Sequence, residues 1–341
     1  MLFFFKVNIK MSLVVGAQYK LGNKLGSGAF GEIYAATNSL TGQEVAVKLE
    51  PLFAKNPQLA YEARVYERMH GKPGIPSIYY FGKEGSHYIL VMDRLGQNLE
   101  ELFTKCGRRF SMQTTLLLAD QMLTVLEQVH NEGFIHRDLK PDNFLIGCNL
   151  MPSEVITLPR RFNQSVERPI GRPINTAGVV PSLGANVHQP LVYLVDFGLS
   201  KCFWNPDTNT HIPYRKGKYL TGTPRYASIR NHKGCEQSRR DDLESIGYIL
   251  IYFLLGNLPW QNMTGKTKQV RYKKMMELKE TVFPNLLKTL PPQFKTYFKM
   301  IFLLQFTETP NYKMLRNLFR QVYNAKGYSN ENIRYDWEET Q

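Results

Sequence analysis

The stretch Phe134–Phe144, FIHRDLKPDNF, limits what this chain can be more than any other. It sets a His-Arg-Asp triplet, a Lys two residues past the Asp, and an Asn five past it. A helix end running into a polar turn also uses Asp, Lys, Pro and Asn. The ordered octapeptide HRDLKPDN argues against that bland reading. The spacing suits a carboxylate, Asp138, that reaches an attacking oxygen. One short loop later an amide oxygen, on Asn143, can reach a metal held on phosphates, with Lys140 between them.

Upstream, from Tyr19, alternating apolar and polar residues lead into LGSGAFGEIY, where Gly26, Gly28 and Gly31 fall in G-x-G-x-x-G spacing. Glycines let backbone N–H groups approach phosphate without a Cβ in the way. Alone the pattern is weak, because a glycine-rich hairpin turn looks the same. A dinucleotide site needs the glycines between a strand and a helix. Here GEIYAATNSLTGQEVAVKLE follows, which predicts a second strand, a turn at Thr41-Gly42 and a third strand ending in VAVK at Lys48. Such a Lys needs an anionic partner. LAYEARVYERM reads as a helix with Glu62 and Glu67 on it; Glu62 is the expected partner and Glu67 the competitor. Two strand-like runs, PGIPSIYYFG and HYILVMDRLG, come next, and then LEELF as a helix.

SMQTTLLLADQMLTVLEQVHNEG predicts a long core helix that ends at Gly133 and delivers the chain to the HRD stretch. LVYLVDFGLSK then places Asp196-Phe197-Gly198 at the end of an apolar strand. Glycine loop, Lys48, HRDLKPDN and DFG, in this order, match the protein kinase pattern. That match implies Lys48 on the α- and β-phosphates, Asp138 as base, Asn143 and Asp196 on Mg²⁺, and Met92, Asp93 and Leu95 around adenine. Met92 is equally compatible with a plain core residue.

Length and 43% hydrophobic residues suffice for one two-lobed enzyme. No apolar run approaches the roughly 20 residues of a membrane helix. MLFFFKVNIK puts its charges after its apolar cluster, unlike a secretory signal. Residues 1–18 read as an N-terminal extension, with Met11 an alternative start. Cys106, Cys148, Cys202 and Cys235 form no CxxC pair, which points to a reducing compartment, cytoplasmic or nuclear. A net charge of +14 favours an anionic partner without choosing one. Cys148–Pro190, rich in Pro, Gly, Asn and Arg, interrupts two strands that need only a short turn. It reads as disorder, a lightly pinned excursion or a gene-model artefact.

Further motifs resemble the casein kinase 1 family. Leu220–Gln261 lacks Ala-Pro-Glu and carries EQSRRDDLES; KLEP after Lys48, PQLAYEARVY, HIPYR and the final YDW agree. The resemblance covers residues 12–147 and 191–337. It implies an α+β, two-lobed kinase fold, with an N-lobe at 19–92, a hinge at 93–95, a C-lobe at 96–330 and a short end at 331–341. It also implies a serine/threonine protein kinase using ATP and Mg²⁺, acting as a monomer on acidic or phosphorylated protein substrates without activation-segment phosphorylation. The nucleotide-contacting set it implies is Gly26, Gly28, Phe30, Gly31, Ala46, Lys48, Glu62, Met92, Asp93 and Leu95. Asp138, Lys140, Asn143, Lys48 and Thr223 form the catalytic set. Arg225, Gln261 and Arg271 match the family's substrate-phosphate pocket, and Arg137, Lys201 and Lys218 a basic cluster beside the catalytic loop. Asp242 is expected to cap that loop's backbone. Pro224, Arg230, Asn262 and Gln97 depart from the family. Two other readings compete: a catalytically poor phosphoprotein-binding scaffold, and a nucleic-acid binder, which the absence of interleaved aromatics disfavours.

Overall fold

The structure, a computed structural model, describes residues 14–28, 31–148, 192–329 and 333–338. Phe30, the first 13 residues and almost all of the Cys148–Pro190 stretch lie outside them. The chain divides into two compact units. The smaller holds the described residues up to Gly71 together with Pro76–Leu95; the larger holds Lys72–Ile75, Gly96–Gly147 and the described residues from 192 on.

The small unit is an antiparallel sheet of β1 (Val14–Val15), β2 (Tyr19–Gly28), β3 (Gly31–Asn38), β4 (Glu44–Pro51), β5 (Ile78–Glu84) and β6 (His87–Asp93), ordered β1-β2-β3-β4-β6-β5. β1 pairs Val14 with Lys20 and Val15 with Tyr19. The sheet therefore begins inside the stretch read as an extension. The expected turn forms at Asn38–Gly42, where Asn38 Oδ1 accepts from the Leu40 N–H at 3.0 Å and Gly42 adopts φ 74°. Successive strand residues face opposite sides. Ala36, Val45, Val47, Ile89 and Val91 bury one face with Val15 and Tyr19. The other face must then carry the intervening residues. Register aligns Gly26, Ile33, Lys48 and Leu90 in one row across it, and Ala35, Ala46, Met92 and Ile78 in the next.

Helix α1 (Leu59–Arg68) buries Leu59, Ala63, Val65 and Tyr66. Its N-terminus is held by Glu50, whose two carboxylate oxygens accept from the N–H groups of Gln58 at 2.8 Å and Leu59 at 3.0 Å. A carboxylate there satisfies orphan donors and complements the helix dipole. This is the structural reason for the KLEP glutamate.

In the large unit, α2 (Leu99–Lys105) precedes α3 (Met112–Asn131). Ser111 caps α3 by accepting from the Thr114 N–H at 3.1 Å, and Gly133 at φ 82° ends it as expected. Two short ladders follow: β7 (Phe134–Ile135) pairs with β10 (Lys201–Cys202), and β8 (Phe144–Ile146) with β9 (Val192–Leu194). β11 (Trp204–Asn205) pairs with β12 (Thr210–His211), and among the described residues six helices follow: α4 (Ile229–His232), α5 (Arg239–Leu255), α6 (Lys268–Thr281), α7 (Phe283–Leu286), α8 (Pro292–Leu303) and α9 (Tyr312–Ala325). From Leu243 to Leu254 every residue of α5 is buried, as expected of a core helix without a polar face. The terminal YDW is not a loose end. Asp336 accepts from the Ser111 N–H at 2.6 Å, Tyr335 from Gln121 at 3.0 Å, and Trp337 meets Phe110 with ring centres 5.5 Å apart.

Candidate active site

Asp242, on α5, organises the HRD stretch. Its Oδ2 accepts from the His136 N–H at 2.8 Å and its Oδ1 from the Arg137 N–H at 2.9 Å. Two adjacent amides thus point at one buried carboxylate, and Arg137 takes the left-handed φ of 68° that this requires. His130, on α3, bonds the same Oδ2 through Nε2 at 2.9 Å, and its Nδ1 meets the Tyr312 hydroxyl at 2.5 Å. Burial keeps His130 neutral despite Asp242. Burial also pushes the Asp242 carboxyl up, but the hydrogen bonds from the His130 ring and the Arg137 amide outweigh it and hold it below the usual range. Sequence reading anticipated Asp242 but missed His130 and Tyr312, which lie on helices remote in sequence.

Asp138 is 7% exposed. Its Oδ1 accepts from both the N–H and the hydroxyl of Thr223, each at 2.7 Å. Gly222 brings them close: at φ 86°, an added Cβ there would lie 2.2 Å from the Arg137 carbonyl. Lys140 Nζ lies 3.4 Å from Oδ2. Oδ1 is therefore saturated by Thr223, and Oδ2, beside the ammonium, is the oxygen poised for chemistry.

Asn143 spends its Nδ2 on the Asp138 carbonyl at 2.9 Å, so Oδ1 is the atom it can offer a cation. Past the Phe144–Leu194 pair, the Val195 N–H reaches the Asn143 carbonyl at 3.0 Å, which brings Asp196 to the same end of the ladder. Asp196 adopts φ 67°. A hard divalent cation takes one or two such oxygen donors plus phosphate oxygens, so this donor set fits one. Among the described residues no three His, Cys, Asp or Glu side chains form a metal cage by themselves.

On the small unit, Lys48 Nζ meets Glu62 Oε2 at 2.7 Å, with the carboxylate side chain 2% exposed. Glu67 is exposed. The row Gly26, Ile33, Lys48, Leu90 and the row holding Ala46 and Met92 share this face, so four expected nucleotide contacts are gathered by strand register alone. An added Cβ at Gly26 would meet nothing within 4 Å among the described residues, whereas one at Gly31 would lie 2.0 Å from the Leu49 carbonyl. Gly28 pairs with Gly31 where the two strands close. Asp93 ends β6 with its carboxylate turned to the Ser77 N–H at 2.7 Å and the Tyr79 hydroxyl at 2.5 Å. With its carboxylate so engaged, Asp93 has its backbone left to offer a ligand, and Leu95 ends the Pro76–Leu95 segment of the unit.

The protein kinase domain model matches residues 19–311. The chain belongs to the protein kinase domain family. It is a phosphotransferase acting on proteins with ATP and a divalent metal. No helix among the described residues is long and apolar enough to cross a membrane.

The kinase's large unit also holds a cavity of about 470 Å³, lined by Lys140, Thr223, Arg225, Gln261 and Arg271 among others. The three residues of the expected phosphate pocket thus meet beside two of the catalytic set. Among the described residues Arg271 Nε, buried there, has no hydrogen-bond partner. Arg225 leans on Tyr226 and Tyr252, each ring centre 5.7 Å away. Arg137, Lys201 and Lys218 do not line this cavity. Lys201 and Lys218 straddle Glu236, at 2.7 and 3.3 Å, while Arg137 Nε donates to the Leu199 carbonyl at 2.7 Å. Glu236, a counter-charge inside EQSRRDDLES, escaped the sequence reading.

Proposed function

We propose that this kinase is a serine/threonine kinase of casein kinase 1 type, using Mg·ATP to phosphorylate acidic or phosphate-primed protein substrates. The cavity carries this reading: Arg225, Gln261 and Arg271 converge beside Lys140 and Thr223, and guanidinium forks suit phosphate. The EQSRRDDLES and KLEP motifs point the same way.

In this reading Lys48, oriented by Glu62, and the glycine-bearing hairpin hold the ATP phosphates. Asn143 Oδ1 and the Asp196 carboxylate hold the metal, which neutralises phosphate charge when bound. Asp138 Oδ2 accepts the proton as the substrate oxygen bonds to the γ-phosphorus and the bond to the ADP oxygen breaks. Lys140 offsets charge on the transferred group. Arg137, Lys201 and Lys218 form a second anion-facing patch, already partly balanced by Glu236.

The test is radiolabel transfer from Mg·ATP to paired peptides, with or without phosphoserine three residues before the target Ser. Wild type and Asp138→Asn are run side by side. Transfer by wild type alone, with the primed peptide favoured, is expected. Equal use of both peptides would remove the pocket assignment, and absence of transfer alongside tight phosphopeptide binding would favour the scaffold reading.

A further inference from the structure

Lys279, on α6, has the sequence context of a surface lysine, KKMMELKE, yet it is 1% exposed. Its Nζ donates to the carbonyls of Pro224 at 3.0 Å and Ala227 at 2.5 Å and lies 3.2 Å from His232 Nε2. The two carbonyls are neutral acceptors for two N–H groups of an ammonium, and His232 Nε2, also 3.2 Å from the Pro224 carbonyl, takes the role its tautomer sets. The rings of Tyr248 and Trp260 lie 4.8 and 5.4 Å from it. Among the described residues no carboxylate bonds it; Glu244 acts on it only at a distance.

The segment it holds is the one that builds the pocket. Residues Thr223–Tyr226 form a tight turn, with the Tyr226 N–H on the Thr223 carbonyl at 3.0 Å. Trp260 Nε1 donates to the Arg225 carbonyl at 2.8 Å. The carbonyls of Pro224, Arg225 and Ala227 are thus all drawn to one inner side, by Lys279 and Trp260. The Arg225 side chain is left to line the cavity, and Thr223, at the head of the turn, to bond Asp138. An interior cation is expensive to bury. Burial pulls this one down to about 7, with Glu244 opposing. Burial and the Lys279 charge hold His232 down at about 3, so it stays neutral and cannot substitute as a donor cation.

We propose that Lys279 is a positioning residue for substrate selection: by gathering the Pro224 and Ala227 carbonyls it fixes Arg225 in the phosphate pocket. This inference rests on the pocket reading above. A lysine serving only general stability would lower activity on all substrates alike. A positioning lysine acts on the primed peptide in particular.

The experiment compares kcat and KM of wild type, Lys279→Met and Lys279→Gln for primed and unprimed peptides, with KM for ATP alongside. Losing a charged donor to buried carbonyls is expected to cost Lys279→Met roughly tenfold in the primed-over-unprimed ratio. That loss appears in the primed KM, with the ATP KM little changed and any fall in kcat the same for both peptides. Lys279→Gln keeps two N–H donors and recovers much of the ratio. If Lys279→Met does not fold, Trp260→Phe, which removes the donor to the Arg225 carbonyl but keeps a ring, is expected to raise the primed KM in the same way. An unchanged ratio in the variants, with wild type preferring the primed peptide, overturns the role of Lys279 and leaves the pocket standing. Absence of preference in wild type overturns both.

Discussion

Thr223 gives both its backbone N–H and its hydroxyl to one oxygen of Asp138, each at 2.7 Å. The base is thereby oriented by the same turn that carries Arg225, so catalytic geometry and substrate recognition share one piece of backbone. Thr223→Val removes the hydroxyl bond and leaves the amide bond. The expected result is a kcat lower by about tenfold, with the ATP KM unchanged. Asp138→Asn removes the base itself and is expected to lose about 10²–10⁴ in kcat. Steady-state kinetics with one peptide distinguishes the two. Equal losses in both variants would mean that the hydroxyl does more than orient.

Asp242 is 2% exposed and accepts from His130 and from two backbone N–H groups. Asp242→Asn keeps one acceptor oxygen and brings an amide N–H against a backbone donor. A buried donor left unmatched costs about 1–3 kcal/mol. The variant is expected to melt several degrees lower and to lose activity even at temperatures where it stays folded, because the left-handed Arg137 is no longer held. A melt that falls with kcat intact would make Asp242 purely structural.

Glu236 supplies a pH test. Burial pushes its carboxyl up, but the hydrogen bonds and charges of Lys201 and Lys218 outweigh it and hold it below the ordinary glutamate range. A carboxyl depressed in the folded state stabilises the fold fully above its unfolded pKa, about 4.3. That stabilisation is lost as pH falls through the lower folded value. The melting-temperature gap between wild type and Glu236→Gln is expected to be complete near neutrality and to close below about pH 4. A gap independent of pH would mean that the glutamate acts through packing.

The catalytic loop and the DFG turn were legible in the sequence because each is a contiguous motif, and the Lys48–Glu62 pair because a strand and the next helix, close in sequence, carry it. Strand parity then places Ala46 and Met92 on the face of Lys48. What stayed hidden joins residues remote in sequence through common side-chain types. His130 meets Asp242 from another helix and Tyr312 meets His130 from a third, Glu236 balances Lys201 and Lys218, and Lys279 looks like surface charge on a helix with no marked apolar stripe. Pro224 read as a departure touching specificity. The structure sets it at the second position of the Thr223–Tyr226 turn, where proline's fixed φ is favourable and stiffens the turn. Arg230, another departure, donates to the Phe302 carbonyl at 2.7 Å.

The glycines of the β2–β3 hairpin separate folding from nucleotide binding. Gly31, at φ 144°, has the Leu49 carbonyl 2.0 Å from where a Cβ would stand. Gly31→Ala must therefore push β3 off β4 and is expected to lower the melting temperature with or without ATP. Gly26 has open space at its Cβ and sits in the Lys48 row. A methyl there obstructs nothing among the described residues, but it occupies the approach to the face on which the phosphates are proposed to lie. Gly26→Ala is expected to leave the melting temperature of the nucleotide-free protein within about a degree of wild type, because surface changes that touch nothing are close to neutral. It should raise the ATP KM several-fold and shrink the stabilisation that Mg·ATP gives in a thermal melt. Since ligand stabilisation scales with the logarithm of concentration over Kd, that shrinkage reports nucleotide affinity without any turnover. An unchanged ATP KM in Gly26→Ala would move the phosphates off this row, and with them the proposed role of Lys48.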